Sequence, residues 1–181
     1  MEYKRNVILK NDKKCLIRNA VGDDAQEVLD IFLLTHEQTD FLSSYKDETT
    51  FDVIFEKQFL IKKVNSDKEV YLCAIVDGRI VGIAGVNQIG QNKISHRADF
   101  GMAIEKEFWG IGIGRALATS CIICAKNAGF SQLELEVVSD NSNAIALYKS
   151  IGFVEFGRNP RGFISRHEGW QELILMRLEL N

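Results

Sequence analysis

The stretch that most constrains this chain is Phe108 to Leu117, FWGIGIGRAL. Gly110, Gly112 and Gly114 alternate there with apolar residues. A strand-like run, Ala98 to Ile104, precedes them and a long helical pattern follows. The first turn of a helix leaves backbone N–H groups without partners, and with the helix dipole they form an anion site. Glycines allow positive φ and let an anion approach without meeting a Cβ. The arrangement therefore points to a phosphate site, the pyrophosphate of a nucleotide-containing cofactor. A Walker loop would need Lys-Ser or Lys-Thr after its last glycine, where this chain has Arg115-Ala116. A dinucleotide fingerprint would follow the first strand of a βαβ unit with its third glycine three residues after the second; here the spacing is G-x-G-x-G after several strands. A glycine-rich turn without a ligand stays open on the motif alone.

A length of 181 residues with 46% hydrophobic content suits one globular domain, residues 1–181. A net charge of -3 is too mild to predict a nucleic-acid or acidic-lipid partner. One proline and no Ser/Gly-rich tract argue against a linker, and no internal repeat stands out. The N-terminal stretch has charges and no apolar h-region, and no apolar run approaches the roughly 20 residues of a membrane span. Cys15, Cys73, Cys121 and Cys124 each sit in an apolar periodic segment, as reduced core thiols of a cytoplasmic protein would. Cys121-x-x-Cys124 has no second pair and no histidine nearby, so it reads as core packing, with no metal site expected.

In chain order, Cys15 to Ala20 is a short strand. Asp24 and Glu27 have capping-box spacing for a helix carrying Val28, Leu29 and Phe32, to about Leu34. His36 to Tyr45 reads as a loop. Thr49 or Thr50 caps a second helix with Phe51, Ile54, Phe55 and Ile61 on one face, ending near Asn65. The period then changes to two. Val70–Val76 and Arg79–Ile89 form a hairpin around Asp77-Gly78, a type I′ signal, and 94–104 is the third strand of the meander. Leu117, Cys121, Cys124, Ala125 and Ala128 mark a helix face stopped by Gly129. Leu133, Leu135 and Val137 alternate with Glu134 and Glu136 in the next strand. Asn141 or Asn143 caps a short helix through Ser150. Phe153–Gly157 and Trp170–Leu180 close the chain as strands joined by a loop around Pro160. The order β-α-α-β-β-β-α-β-α-β-β implies an α/β (α+β) chain with a mixed sheet and helices on both faces.

Two motifs in this order resemble the GNAT superfamily of acetyl-CoA-dependent N-acyltransferases, over nearly the whole chain. Trp109 to Gly114 is similar to the family's Q/R-x-x-G-x-G/A, with Trp109 where Gln or Arg is usual. NSNAIALYKSIGF, Asn141 to Phe153, resembles N-x-x-A-x-x-L-Y-x-x-x-G-F. The resemblance implies a mostly antiparallel sheet of six to seven strands and acetyl-CoA as co-substrate. It puts Met102 and Ile104 along the pantetheine arm, with a splay between the strands at Ile104 and Leu133. The backbone of Trp109, Gly110, Ile111, Gly112, Ile113, Gly114 and Arg115 then falls at the pyrophosphate, and Asn141 and Tyr148 beside the thioester. The acceptor it implies is a small-molecule amine or a peptide N-terminus, and it leaves room for a homodimer. A non-catalytic CoA-binding or sensor domain on the same fold is the rival reading.

Acetyl transfer to an amine needs a base, because an amine with pKa near 10.4 is protonated at pH 7; it also needs a donor for the thioester oxygen and an acid for the leaving thiolate. The donor is a backbone N–H near Met102 to Ile104. Tyr148 is the acid, against the alternative of simple packing. Asp99 is the base, or else a solvent-facing residue paired with Arg97 or Arg79. Glu105, Glu134, Glu136 and His96 are weaker candidates. Arg115 either meets a phosphate or is solvated, and Asn141 is a helix cap, a ligand contact or both. The 36–48 loop carries Glu37, Asp40, Asp47 and Glu48 with Phe41 and Tyr45. The 159–168 loop carries Arg161, Arg166 and His167. For an acceptor the two signs conflict, and two solvated loops are the plain alternative.

Overall fold

The computed structural model describes residues 2–48, 50 and 52–180. The strands are β1 (Lys4–Ile8), β2 (Lys14–Asn19), β3 (Val70–Val76), β4 (Arg79–Gln88), β5 (Arg97–Ile104), β6 (Gln132–Val138), β7 (Val154–Ser165) and β8 (Gly169–Glu179). They form one eight-stranded sheet in the order β1-β2-β3-β4-β5-β6-β8-β7. Every neighbouring pair is antiparallel except β5 with β6. The helices are α1 (Ala25–Gln38), α2 (Val53–Val64), α3 (Ile113–Asn127) and α4 (Ser142–Ser150).

The sheet separates two cores. On one face Leu117, Cys121, Cys124 and Ala125 of α3 pack on Leu72, Val81, Ala84 and Leu133, with Tyr148 of α4 and Phe153. On the other, Val28 and Ile31 of α1 and Leu60 of α2 pack on Cys73, Ile80 and Ile83. Central strands covered on both faces must be apolar on both, which is why VYLCAIV and IVGIAGV read as near-continuous hydrophobic runs. Asp77 (φ 51°) and Gly78 (φ 82°) make the tight hairpin between them. All four cysteines are buried free thiols, and burial pushes the Cys15 and Cys124 thiols up to about 11.

Several local expectations are corrected. The sheet has eight strands where six to seven were expected, because KRNVI (β1) has too few apolar residues to signal a strand; it forms by pairing along β2, from Lys4↔Arg18 to Ile8↔Lys14. The third meander strand begins at Arg97, after a 3-10 turn at Asn92–Ile94. Helix α1 continues to Gln38, since Thr35 and His36 are buried and bond back into it, Thr35 Oγ1 to Ile31 O and His36 Nδ1 to Phe32 O. Asp24 does not cap α1: its carboxylate holds the Arg18 guanidinium at 2.6 and 2.8 Å, while Glu27 accepts from the Ile80 N–H. Pro160 lies within β7, not in a loop. A proline is tolerated there because β7 is an edge strand and its register with β8 shifts between Asn159 and Phe163.

Helix α2 is rotated from the expected face. Ile54, Phe55 and Ile61 are exposed, and Leu60, Glu56 and Lys63 turn inward. Lys63 is anchored by Glu69 and Asn87. Phe51 and Thr49 lie outside the described residues. The cap is Asp52, whose Oδ1 accepts from the N–H groups of Ile54 (3.0 Å) and Phe55 (2.9 Å). Replacing Asp52 by Ala should therefore lower stability by about 1 kcal/mol. Thr50→Ala should leave the urea midpoint unchanged; equal losses from both would remove Asp52 from this role.

Candidate active site

Strands β5 and β6 pair only at Arg97↔Gln132, Ala98↔Leu133 and Asp99↔Glu134. Beyond that rung they part, although β5 runs on to Ile104 and β6 to Val138. The direction of the backbone groups along the opening is fixed by pairing on the outer sides. Arg97 O accepts from Ile89 and Glu105 N–H donates to Val81, so odd-numbered residues of β5 face β4. Phe100, Met102 and Ile104 consequently turn their N–H and C=O into the gap. On β6, Ser139 N–H donates to Glu172 O, so odd residues face β8, and Glu136 and Val138 border the gap. The parted strands thus form the expected splay, with an edge open along the N–H and C=O of Met102 and the N–H of Ile104.

The gap is the centre of a cleft of about 980 Å³. At one end lies the glycine loop. Gly110 (φ 78°) and Gly112 (φ 108°) occupy backbone that only glycine adopts readily, and Gly112 is the N-cap of α3 without a side-chain cap. Ala116 N–H bonds to Gly112 O, which leaves the amides of Ile113, Gly114 and Arg115 free at the helix start. Gly114 lets α3 pack closely on α4: a Cβ there would lie 3.0 Å from the Leu147 side chain. Trp109 uses its own N–H on Lys106 O, and its indole donates to Ile104 O at 2.7 Å, tying the loop to the end of β5. Ile111 and Ile113 face inward, Ile113 fully buried. Arg115 is not merely solvated; it donates to Ser150 Oγ at 2.7 Å, beside the cleft.

A residue outside both sequence motifs braces this loop. Lys10, in the β1–β2 turn, donates its N–H to Ile111 O (3.0 Å) and its Nζ to Gly110 O (3.1 Å). Its sole local signal in the sequence is a basic residue in a turn, about a hundred positions away.

Tyr148 is buried in α4, edge-on to Phe100 and tilted against Phe153. Its hydroxyl has no hydrogen-bond partner among the described residues and borders the cleft. Burial raises its pKa, so it holds its proton at neutral pH. Asn141 caps α4 through Ala144 N–H and also lines the cleft.

Across the gap, on the α1 face of the sheet, lies Asp99. It keeps contact with solvent, yet the surrounding walls displace water and raise its carboxyl above the ordinary range, helped by the like charges of Glu136 and Glu134. Neither expected arginine takes it. Arg97 grips Glu134 at 2.5 and 2.6 Å, and Arg79 holds the buried Glu105 at 2.7 Å. Glu105 and Glu134 are thereby structural, and Asp99 and Glu136 are the carboxylates that line the cleft. His96 serves through its carbonyl, which accepts from Ser131 and Gln132.

The conflict of sign between the two loops dissolves in three dimensions. Arg166 holds Asp47 and Glu48 and lies over the Tyr45 ring; Asp40 takes the Ser165 hydroxyl and the Tyr45 hydroxyl. One guanidinium serves two carboxylates there and Asp40 holds neutral hydroxyls, so the two loops are joined by these contacts while their meeting point stays acidic.

Residues 30–153 match the family model described as Acetyltransferase (GNAT) family. The chain is 30% identical over 100 residues to the N-alpha-acetyltransferase RimI of Mycobacterium tuberculosis, an alignment covering 55% of this chain and 61% of that protein. It spans about half or less of other curated relatives that it matches. An acetyltransferase of GNAT family from Streptococcus pneumoniae superposes with a TM-score of 0.87 at 30% identity, over 91% of this chain and 99% of that one. The yncA structure from Salmonella typhimurium, solved with its cofactor acetyl-CoA, superposes with a TM-score of 0.83 at 20% identity over 92% and 94%, which shows the shared fold.

Two measurements probe this geometry. Gly112→Val forces a branched residue to φ near 108°, a strain of about 1–3 kcal/mol, and should weaken acetyl-CoA binding in calorimetry with the fold retained. Parental affinity would take the loop out of the anion site. For Asp99, folding raises the pKa, so its stabilising contribution is present below the unfolded value of about 3.9 and lost as pH rises through the folded one. Asp99→Asn should thus melt higher than the parent at pH 7, with the gap closing near pH 3. A lower melting temperature at pH 7 would contradict this.

Proposed function

Since the chain belongs to the GNAT acetyltransferase family, we propose that it moves the acetyl group of acetyl-CoA to a primary amine by direct attack in a ternary complex, with residues 1–181 acting as one domain. The observation that carries this reading is the open seam between β5 and β6, which has free backbone donors along one edge, a glycine loop at one end and unpaired carboxylates across it. In this reading the pantetheine amides pair with Met102 and Ile104, as an added strand pairs with a sheet edge. The pyrophosphate rests on the amides from Gly110 to Arg115, with Lys10 and Arg115 adding positive charge.

Asp99 then takes the proton that the ammonium must lose, directly or through water. Its raised pKa, from burial and the neighbouring Glu136 and Glu134, brings it nearer the working pH than an ordinary aspartate, as a general base requires. A gap-facing N–H, of Met102 or Ile104, meets the thioester oxygen as it becomes negative. Tyr148, protonated and unpartnered, gives its proton to the departing thiolate. No cysteine serves a covalent route: all four are buried and pushed toward the thiol form. A domain that only bound CoA would need neither the tyrosine nor the carboxylate.

Removing the phenolic oxygen tests the assignment. Tyr148→Phe should bind acetyl-CoA normally, keep its melting temperature and lose about 10²–10⁴-fold in kcat, with kcat/KM falling in parallel. In the parent, kcat/KM should drop as pH falls through the raised pKa of Asp99, and Asp99→Asn should abolish that limb. Full activity in a folded Tyr148→Phe protein would leave the thiolate to another donor.

A further inference from the structure

Charge divides the cleft. The cations that line it, Arg5, Lys10 and Arg115, all belong to the side of the sheet that carries the glycine loop and α3. On the α1 side the lining is Thr39, Phe41, Ser43 and Phe163, with the carboxylates of Asp99 and Glu136. No lysine or arginine among the described residues lines that limb. Of the guanidinium groups on neighbouring strands, Arg97 is engaged on Glu134, Arg166 on Asp47, and Arg161 lies over the Trp170 ring.

We infer that the acceptor is the N-terminal amine of a peptide, with its adjoining carboxyl masked as an amide, and neither a free amino acid nor a polyamine. This rests on the acetyl-transfer reading above. A free amino acid carries a carboxylate two bonds from its reacting nitrogen. Beside Asp99 and Glu136, without a cation to receive it, that carboxylate is repelled, and like charges placed against a ligand act as a specificity device. A polyamine fails for the opposite reason. Its second ammonium group needs a carboxylate farther along the limb, and among the described residues none lines it: Glu37, Asp40, Asp47 and Glu48 stand outside the cleft wall, turned to Lys46, to the Tyr45 and Ser165 hydroxyls and to Arg166. One ammonium group meets Asp99 and Glu136, and the group attached beyond it must be uncharged.

A peptide meets these terms. Its first carbonyl is neutral, its first side chain can lie against Phe41 and Phe163, and its backbone has a partner. Glu136 turns its N–H and C=O into the gap and Val138 its N–H, with no strand opposite them (Val138 O is taken by the Asn141 N–H), an edge that an extended chain can use.

The test is free-thiol release from acetyl-CoA by the purified protein, with matched acceptors: alanine and alaninamide, phenylalanine and phenylalaninamide, an alanine-led tripeptide amide, and spermidine. The amides and the tripeptide should exceed their free acids by about tenfold or more in kcat/KM, the order of one unscreened like-charge contact. Spermidine should fall below the tripeptide. Ser43→Arg, which sets a cation on the acceptor limb, should shrink the amide-to-acid ratio whatever it does to the absolute rate. Free acids matching their amides, spermidine leading the panel, or an unchanged ratio in Ser43→Arg would each overturn the inference and leave acetyl transfer standing. Thiol release by none of the acceptors, with acetyl-CoA still raising the melting temperature, would overturn the transfer reading itself.

Discussion

The structure depends on an unfinished pairing. Strands β5 and β6 share three rungs and then separate. The Arg97–Glu134 ion pair clamps the last of these rungs, and there Asp99, with Glu136 just past it, presents like charges on one face. On the other face, the rings of Phe100, Tyr148 and Phe153 fill the space beside the opening. Backbone N–H and C=O groups left unpaired in a sealed interior would cost about 1–3 kcal/mol each. Here they persist because the gap opens into a cleft, where water or a ligand can satisfy them. The glycine loop, the α4 tyrosine and the α1 loop are all positioned with respect to this seam.

Around the seam, charge is sorted by local neutralisation. The loop after α1 is acidic and the β7–β8 turn is basic, and Arg166 joins them by holding Asp47 and Glu48 while Ser165 holds Asp40, so part of the acidic charge is compensated where the two segments meet. The charges that remain in the cleft are few and separated by sign across the sheet. A net charge of -3 for the whole chain hides this division, because composition does not record which groups have partners.

The outer strands protect what the centre requires. Through Lys10, the β1–β2 turn turns two loop carbonyls toward itself, and the Tyr3 hydroxyl bonds Ser120 of α3 at 2.9 Å. A hairpin at the far edge of the sheet therefore holds the glycine loop and the helix that follows it. At the opposite edge, β7 carries Pro160, Arg158, Arg161 and two register shifts, features that discourage further strand pairing.

The sequence by itself determined the order of most elements, the type I′ hairpin, the glycine loop opening a helix, and the Asn141–Phe153 motif. Each is a local pattern, set by backbone period or by the φ a residue tolerates, and locality makes it legible. The tertiary structure alone decided that KRNVI becomes a strand, that α2 buries Leu60 while exposing Phe55, and that Asp24 grips Arg18 and does not cap α1. It also decided which carboxylates stay free. Glu105 and Glu134 looked no different from Asp99 and Glu136 in one dimension; Arg79 and Arg97 separated them. Lys10 meets Gly110 across 100 positions, and Arg166 meets Asp47 across 119. Such partners are chosen by where the sheet brings distant chain segments together, and no window of sequence contains both members of the pair.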